Sequence, residues 1–319
     1  MTRQEAEECM NALGGERKPF LFIIDFEMKY PLIYPLESLP SEIKYQITSK
    51  PKTDLKREYK NLDIQPISQS EYGIQFNRVL EHLNFGNTYL LNLTCQTKIK
   101  SEHDLKEIYD ESAAKYKLYL KDQFVVFSPE PFIKISNGQI RSFPMKGTIR
   151  DSVADASNVI LNSKKEQAEH ATIVDLIRND LGMVSRAVRV NRYRFVERVA
   201  TNTNNILQVS SEIIGDLQDN YIDNIGQIIF TLLPAGSISG APKSKTLQII
   251  SEVETKSRGY FTGVFGVFDG SNVDSAVMIR FIEQTPNGLV YRSGGGITAQ
   301  SILDEEYQEM IDKVYVPTY

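Results

Sequence analysis

A single lysine, Lys146, stands out in the stretch of residues 143–150, which reads FPMKGTIR. The side chains from Arg141 onward alternate with the period of two that is typical of a strand. Pro144 restricts the backbone before the lysine, and Gly147 lets the chain turn directly after it. An amine held in this way can be a surface cation, an anchor for a phosphate or carboxylate, or a nucleophile, and this stretch alone leaves the three interpretations open.

Carboxylates lie on the apolar side of the helix that we predict over residues 165–182, KEQAEHATIVDLIRNDLG. Ile173 marks the apolar stripe of this helix, and Glu166 and Glu169 fall within roughly 40° of it by the helical repeat. A carboxylate on a buried face is costly unless it is paired or binds a metal ion. The pattern therefore predicts either an internal salt bridge or one half of a cation site.

The closing helix, predicted over residues 302–314, repeats this arrangement. Glu306, Glu309 and Lys313 lie along one flank of its apolar stripe, whereas Glu305 faces away. Two helices that each offer glutamates three residues apart resemble a site for Mg²⁺, which takes one or two carboxylates, waters and an anionic substrate. The alternative interpretation of Glu306 to Lys313 is a solvated salt bridge, which contributes little to stability.

Two glycine-rich stretches could direct backbone N–H groups at an anion. The first, GSISGAPKS at residues 236–244, adds the Ser237 hydroxyl near the start of the next helix. The second is YRSGGGIT at residues 291–298, where three successive residues lack side chains: Gly294, Gly295 and Gly296. Arg280, inside the apolar strand SAVMIRFIE, needs an anionic partner that suits its fork. Together with Lys146, these groups predict a small substrate with more than one carboxylate.

Two side chains could carry the chemistry on such a substrate, Glu130 and Lys146. Glu130 is held between two prolines in SPEPF, which fixes its backbone in an extended conformation. It is either a glutamate at the end of a strand or a positioned general acid. For Lys146 to be a nucleophile near pH 7, its pKa must fall by two to three units from ~10.4. We expect burial, Mg²⁺ and Arg280 to lower it.

The order of elements predicts an α+β fold with largely antiparallel sheets, because strands occur in neighbouring runs and not in strict βαβ alternation. The first residues, 1–17, are polar and predicted to be frayed, and 44–60 form a lysine-rich exposed excursion. The predicted strands cover 19–26, 88–99, 123–136, 188–199 and three runs in the last hundred residues. The other predicted helices cover 68–83, 103–118, 153–162, 219–232 and 246–254. We divide the chain into a short N-terminal segment, 1–67, packed on a main lobe, 68–319.

Composition describes an ordinary globular protein and excludes several function classes. With 41% hydrophobic and 24% charged residues, the net charge of −5 argues against a nucleic-acid surface. An apolar run of ~18 residues and a signal-peptide pattern are both missing, so we expect a cytoplasmic protein without membrane contact. Cys9 and Cys95 do not form a disulfide framework, and three scattered histidines exclude a Cys/His metal cluster. A bound metal ion must therefore be held by oxygen ligands.

Five segments together resemble the chorismate-utilising enzymes, which include anthranilate, aminodeoxychorismate, isochorismate and salicylate synthases. They occur in the family's order within residues 68 to 317: KEQAEHATIVDLIRNDLG, GSISGAPKSK, GYFTGVFGVFDG, RSGGGIT and EEYQEMIDK. Five co-linear motifs make this resemblance specific. It implies an α+β sandwich of mostly antiparallel sheets with outer helices, in which chorismate and Mg²⁺ bind in a cleft between them.

Within this family, the stretch around Lys146 separates the members. Anthranilate synthases have Pro-Ile-Ala-Gly-Thr there, whereas members that aminate chorismate at carbon 4 typically have Pro-Ile-Lys-Gly-Thr, and this chain has Pro-Met-Lys-Gly-Thr. The resemblance therefore implies that Lys146 attacks ring carbon 2 of chorismate as the hydroxyl group at carbon 4 leaves. Ammonia then enters at carbon 4 and expels the lysine, which gives 4-amino-4-deoxychorismate for folate synthesis. Glu130 matches the family's general acid for the departing hydroxyl group.

The resemblance also implies roles for other residues. Glu169 and Glu309 match the Mg²⁺ ligands, and Glu166 and Glu306 support the ion through water. The implied substrate contacts come from Thr148, Ser237, Tyr260, Arg280, Gly294, Gly295, Gly296 and Lys313. The chain departs from the family at Gln208, where many members have histidine. Its N-terminal region is also short, and longer relatives hold tryptophan there, so we do not expect a tryptophan pocket.

The implied function is the amination of chorismate by a Mg²⁺-dependent aminodeoxychorismate synthase, with ammonia delivered by a glutamine amidotransferase subunit. Neither Cys9 nor Cys95 lies in a Gly-rich nucleophile turn, so we expect this partner to hydrolyse the glutamine. Two alternatives stay open: another chorismate converter, such as anthranilate or isochorismate synthase, and a chorismate-binding subunit with little activity of its own. Lys146 disfavours the first, and Lys146, Glu130 and the four helix glutamates together disfavour the second.

Overall fold

The computed structural model describes residues 1–48, 62–199 and 206–317 of the chain. The strands within these ranges are β1 (Phe20–Ile24), β2 (Leu32–Pro35), β3 (Ile43–Ile47), β4 (Asp63–Gln65), β5 (Leu90–Lys100), β6 (Tyr116–Leu120), β7 (Phe124–Ser128), β8 (Pro131–Ser136), β9 (Gln139–Ser142), β10 (Met145–Arg150), β11 (Arg186–Val199), β12 (Ile206–Asp216), β13 (Gly240–Ala241), β14 (Val264–Phe268), β15 (Val273–Val277), β16 (Phe281–Thr285) and β17 (Gly288–Ile297). The helices are α1 (Arg3–Gly15), α2 (Gln69–Asn84), α3 (Leu105–Glu111), α4 (Ala156–Asn162), α5 (Lys164–Gly182), α6 (Ile225–Leu232), α7 (Gly236–Ser239), α8 (Lys243–Val253) and α9 (Leu303–Asp312).

The described strands form two sheets, and the strand pairs within them are antiparallel. The first sheet has nine strands in the order β10-β12-β9-β8-β15-β14-β1-β2, with β11 also paired to β12. The second has eight strands in the order β13-β5-β17-β16-β7-β6-β3, with β4 also paired to β5. Two antiparallel sheets with helices around them confirm the predicted α+β fold.

The strand β1 shows how the two sheets pack face to face. Phe20 and Phe22 point into the hydrophobic cluster that α1 and α6 share, whereas Leu21 and Ile23 point into a second cluster between the sheets. Because both faces of β1 are buried, its sequence is continuously apolar instead of alternating. The strand predicted over residues 19–26 is therefore confirmed.

Most of the predicted helices are confirmed within a few residues. These are the segments that became α2, α4, α5, α6, α8 and α9. Each carries an apolar stripe or a clear stop signal in its own sequence, and such local patterns do not depend on distant partners. No helix of the described ranges is both long and apolar enough to cross a membrane.

The N-terminus differs from the prediction, because its first residues are ordered. The helix α1 begins with a capping box, in which the Thr2 hydroxyl accepts a hydrogen bond from the Glu5 N–H and the Glu5 carboxylate accepts one from Thr2 N–H. β1 and β2 belong to the first sheet and β3 and β4 to the second, so this segment contributes strands to both sheets. The predicted division of the chain at residue 68 stays a prediction. Residues 44–47 of the predicted excursion belong to β3, and residues 49–60 lie outside the described residues.

Three other elements differ from the prediction because distant pairing decided them. The helix predicted over residues 103–118 ends at Glu111, and Tyr116 already begins β6, which pairs with β7 and β3. The long strand β12 was not predicted. The strand predicted as SAVMIRFIE is broken before Phe281, because the chain passes there from β15 of the first sheet to β16 of the second, with a φ of +55° at Arg280.

Candidate active site

Lys146 lies in a β-bulge of β10. The pairing of β10 with β12 shifts its register between Met145 and Thr148, which leaves Lys146 and Gly147 outside the regular ladder. Gly147 has a φ of +94°, a conformation that favours glycine. The lysine side chain extends from this bulge to α5, where its Nζ atom lies 2.9 Å from Oε2 of Glu169.

Both predicted glutamates of α5 face this bulge. A Cβ atom at Gly147 would lie 2.8 Å from Oε2 of Glu166, so a side chain there would displace that carboxylate from its place beside β10. Glu169, one helical turn later, holds the amine of Lys146. Farther along α5, Ile173 is buried in the core. The helix therefore presents its carboxylates to β10 from its first turns and packs its apolar stripe behind them, as the helical repeat predicts.

The three successive glycines lie in β17 and form a strand instead of an anion-binding nest. They pair with β5 in an antiparallel ladder, with Gly294 opposite Thr94. A Cβ atom at Gly295 would lie 3.3 Å from Oε2 of Glu306, and one at Gly296 would lie 3.4 Å from Nζ of Lys146. The glycines of β17 therefore make a floor without side chains, which we call the glycine floor, where groups from β10 and α9 meet.

The closing helix α9 brings its two predicted glutamates to the glycine floor. Glu306 is buried, and its carboxylate accepts a hydrogen bond of 2.7 Å from the Ser301 hydroxyl. Glu309 is about half exposed and lies 2.6 Å from the amine of Lys313, which also donates to the carbonyl of Gly294 over 2.7 Å. Glu305 is exposed, as predicted.

The four glutamates supply the oxygen ligands that a hard cation prefers, and they converge from two helices far apart in sequence. Within the described ranges, no three acidic, histidine or cysteine side chains are arranged as a ready coordination shell. Glu169 and Glu309 are each held by a lysine instead. The donor set fits Mg²⁺ in chemical type, and binding would require Lys146 and Lys313 to release these carboxylates.

The charges around Lys146 act against the expected fall in its pKa. Burial lowers the pKa, but the negative charges of Glu169, Glu309 and Glu166 outweigh burial, and the net effect raises the pKa of Lys146. The positive charge of Arg280 instead acts on Glu130 and Lys313. It contributes to the lowered pKa of Lys313, and at Glu130 it opposes a rise in pKa that burial causes. Burial therefore acts on the amine as expected, but the expected net fall in the pKa of Lys146 is wrong while these carboxylates are charged.

Glu130 and Arg280 lie on two adjacent crossings between the sheets. The chain passes from β7 to β8 through Glu130, and from β15 to β16 through Arg280. The Val277 N–H donates to the Glu130 carbonyl and the Phe127 N–H donates to the Arg280 carbonyl, each over 3.1 Å. The two side chains are therefore placed by the points at which the chain changes sheet.

The surroundings of Glu130 suit a general acid. Burial raises the pKa of Glu130, and a hydrogen bond with Ser237 and the positive charges of Arg280 and Lys313 offset this rise only in part. A carboxyl group that keeps its proton to higher pH can donate it to a leaving group near neutrality. Ser237 belongs to the single turn α7, so the glycine-rich loop predicted there contains a short helix.

Arg280 has an open hydrogen-bonding position. Its guanidinium carbon lies 5.2 Å from the centre of the Tyr315 ring, and Tyr315 raises the pKa of Arg280 against the lowering effect of burial. Its Nε has no hydrogen-bond partner within the part of the chain that the structure describes. A buried N–H without an acceptor is costly, so an anionic ligand would be favoured here. Sequence reasoning missed Tyr315, whose one signal is its position two residues after Lys313.

The remaining predicted residues are placed differently. Tyr260 donates from its hydroxyl to the Tyr30 carbonyl over 2.7 Å and packs its ring on Phe124 in the cluster between the sheets. These contacts do not involve β10, β17 or α9, so the structure does not bring Tyr260 to the group around the bulge. Gln208 and Thr148 are backbone partners across β12 and β10, which places Gln208 beside the bulge.

Comparison with known families agrees with this arrangement. The family profile described as chorismate binding enzyme matches residues 33–318. The chain belongs to this family. As a chorismate binding enzyme, it uses chorismate, and the range matched contains the bulge of β10, the carboxylates of α5 and α9, and both crossings between the sheets.

Individual relatives show how far the similarity extends. The chain is 49% identical over 312 residues to an uncharacterized PabA-like protein of Pasteurella multocida, with 96% of each chain covered. It is 30% identical over 266 residues to aminodeoxychorismate synthase component 1 of Bacillus subtilis, which covers 78% of this chain and 55% of that enzyme. Anthranilate synthase component I of Streptococcus pneumoniae matches the structure with a TM-score of 0.68 and 26% identity, over 81% of this chain and 59% of that one. The chain thus spans little more than half the length of these two named enzymes.

Proposed function

We propose that this chorismate binding enzyme is the chorismate-aminating component of an aminodeoxychorismate synthase. It would convert chorismate and ammonia to 4-amino-4-deoxychorismate. The observation that carries this proposal is the position of Lys146, whose amine lies between Glu169 and the glycine floor of β17. The similarity to aminodeoxychorismate synthase component 1 of Bacillus subtilis supports the same assignment.

In the first step of this proposal, the neutral amine of Lys146 attacks ring carbon 2. The new carbon–nitrogen bond forms as the two ring double bonds shift and the bond between carbon 4 and its hydroxyl oxygen breaks. Glu130 donates its proton to this oxygen, which leaves as water. The raised pKa of Glu130 favours the protonated form that this donation requires.

In the second step, ammonia attacks carbon 4, and the bond between carbon 2 and Lys146 breaks. The double bonds return to their first positions, and the lysine nitrogen recovers its electron pair. The Glu130 carboxylate takes up the proton that the ammonia loses, which restores the acid for the next turnover. One ammonia molecule replaces one hydroxyl group, and the reaction needs no oxidant or reductant.

The chain's charged side chains would prepare these steps. Glu169 and Glu309 would hold Mg²⁺, with Glu166 and Glu306 supporting it through water, and the ion would neutralise a substrate carboxylate and these glutamates. With the glutamates neutralised, burial becomes the dominant influence on Lys146 and favours its neutral amine. Arg280 and Lys313 would bind the carboxylates of chorismate.

We further propose that ammonia comes from a separate glutamine amidotransferase. A glutaminase needs a cysteine that ionises readily. Burial raises the pKa of Cys9, and it raises the pKa of Cys95 to about 12. Neither thiol suits that reaction, so the purified chain should use ammonium salts and be inert with glutamine alone.

The deciding experiment is mass analysis of the product formed from chorismate, Mg²⁺ and ammonium by the purified chain. We expect 4-amino-4-deoxychorismate, with water as the second product, and no turnover when glutamine replaces ammonium. A matched reaction with Lys146→Ala should not form it. Anthranilate or isochorismate as the main product of the unaltered chain would overturn the proposal in favour of another chorismate converter.

A further inference from the structure

Ser211 lies on β12 opposite a bulge of one neighbouring strand and next to a bulge of the other. On one side, β10 loses register with β12 between Met145 and Thr148, at the position of Lys146. On the other side, β11 loses register with β12 between Arg192 and Phe195. The two bulges face adjoining stretches of β12, residues 208–210 and 210–212, and bulges are frequent beside active sites.

Hydrogen bonds of the Ser211 residue connect the two bulges. Its N–H donates to the Pro144 carbonyl over 3.1 Å, just before the lysine bulge. Its hydroxyl oxygen accepts a hydrogen bond of 2.9 Å from the N–H of Arg194, which lies in the second bulge with a φ of +48°. The same hydroxyl lies 2.7 Å from Nε2 of His170, a residue of α5 that is fully buried.

His170 continues this connection to the backbone of the lysine. Its Nδ1 lies 3.4 Å from the carbonyl oxygen of Lys146, which can only accept a hydrogen bond. Nδ1 must therefore carry the proton, which makes Nε2 the acceptor for the hydroxyl of Ser211. Each donor in the series then has one acceptor: Arg194 N–H to Ser211, Ser211 O–H to His170, and His170 N–H to Lys146.

The far end of this series is anchored outside the sheet. The guanidinium group of Arg194 donates to the carbonyl of Leu161 over 2.7 Å and to that of Ile160 over 3.2 Å, at the end of α4. The bulge of β11 is therefore tied to the last turn of α4, the helix that precedes α5. His170 follows Glu169 directly on that helix, so α5 contacts Lys146 twice, at the amine through Glu169 and at the carbonyl through His170.

We propose that His170 and Ser211 are positioning residues that hold the backbone of Lys146 during nucleophilic attack. The ion pair with Glu169 cannot serve this purpose, because it must break before the amine becomes a nucleophile. The backbone contact is independent of the state of the amine and persists when that pair is broken. It would keep the lysine directed at ring carbon 2, where a displacement of ~1 Å can cost on the order of 100-fold in rate.

This inference rests on the proposed function, and its test uses Ser211→Ala with Ser210→Ala as the matched control. Ser210 is the preceding residue on β12 and is equally buried, but its hydroxyl donates to Glu197 instead of contacting His170. His170→Phe, which keeps a ring without hydrogen-bonding atoms, is the second test variant. For each protein, three quantities are measured: chorismate affinity with Mg²⁺, the single-turnover rate of adduct formation on Lys146 without ammonia, and deuterium exchange of the backbone amides of residues 145–148.

We expect Ser211→Ala and His170→Phe to slow adduct formation by about 10- to 100-fold and to leave chorismate affinity within about threefold. Their amides at 145–148 should exchange faster, whereas Ser210→Ala should match the unaltered chain. The inference is overturned if Ser210→Ala has the same effects, if affinity falls as much as rate, or if either the rate or the exchange is unchanged in Ser211→Ala. If the unaltered chain forms product without any adduct, the covalent mechanism fails, and unchanged exchange in Ser211→Ala would separately overturn the positioning role.

Discussion

Lys146 and Lys313 occupy the same site, and each forms a short ion pair with a glutamate. The pKa values of the two amines are nevertheless shifted from the ordinary lysine value in opposite directions. Their side chains are almost equally exposed, at 28% and 27%. Burial lowers the pKa of both amines, but the net pKa of Lys146 is raised and that of Lys313 is lowered. With nearly equal exposure, the two amines differ mainly in the charges around them.

The charges around the two lysines suit them to different tasks. Three glutamates act on Lys146, whereas Glu309 alone opposes the effects of burial, Arg280 and Lys146 on Lys313. The pKa of Lys146 therefore depends on carboxylates that a cation can neutralise, which makes this amine adjustable. Lys313 is also tied to the backbone of the glycine floor, which suits a fixed anchor for an anion.

The largest effect should come from exchanging each lysine for alanine. Lys146→Ala should lower chorismate amination by on the order of 10³-fold or more while chorismate affinity changes little, because the nucleophile is lost. Lys313→Ala should instead weaken chorismate binding as its main effect. Steady-state rates and equilibrium binding distinguish the two. Full retention of 4-amino-4-deoxychorismate formation by Lys146→Ala would disprove its role as nucleophile.

The next effect concerns the acid that serves the nucleophile. Glu130→Gln should slow amination by about 10²- to 10⁴-fold, because glutamine cannot donate the proton. The folded pKa of Glu130 is raised, so the active protonated form is present at lower pH and is lost as pH rises through that raised value. Rates must be compared at constant free ammonia, because ammonia itself becomes more available at alkaline pH.

In the plot of rate against pH, the rate should fall at alkaline pH as Glu130 loses its proton. The position of this fall should depend on the groups that lower the pKa of Glu130, which are Ser237, Arg280 and Lys313. Ser237→Ala removes a hydrogen bond that lowers the pKa of Glu130, so it should move the fall to higher pH. A fall that stays in Glu130→Gln with unchanged position would assign the titration to another group.

A smaller effect should come from the carboxylates that control the charge around Lys146. Glu169→Gln and Glu309→Gln should each weaken Mg²⁺-dependent chorismate binding by about 10- to 100-fold and leave the fold intact. Titration with Mg²⁺ at fixed chorismate measures this. Glu305→Gln, on the exposed side of α9, is the matched control. If the control weakens binding as much as Glu309→Gln, the assignment of faces on α9 is wrong.

The smallest effect should come from Tyr315→Phe. The ring beneath Arg280 is kept, but the hydroxyl group that stabilises the guanidinium charge is lost, which we expect to be worth about 1 kcal/mol or several-fold in affinity. The Michaelis constant for chorismate should rise by that factor with little change in turnover number. A fall in turnover number alone would show that Tyr315 acts on the chemistry and not on the anchor.

Features that depend only on neighbouring residues in the chain were predictable from the sequence. The helical repeat placed Glu166 and Glu169 on the side of α5 next to its apolar stripe, and it separated Glu305 from Glu309 on α9. The alternation around Lys146 predicted its strand, and the two prolines around Glu130 predicted an extended backbone there. The five co-linear motifs identified the family, because their spacing and residue types are retained along the chain.

Features that depend on contacts between distant strands were decided only by the tertiary structure. The bulge at Lys146 exists because β12, about 60 residues away, pairs with both sides of it, and no local pattern predicted β12. Arg280 lies outside a strand because the chain passes there from one sheet to the other. The glycines of β17 form the glycine floor because they pair with β5 in a regular ladder. His170 gained its partner on Ser211 in the same way. Strand pairing joins residues without regard to their separation in sequence, so periodicity determined which side chains share a face, and only the fold determined which faces meet.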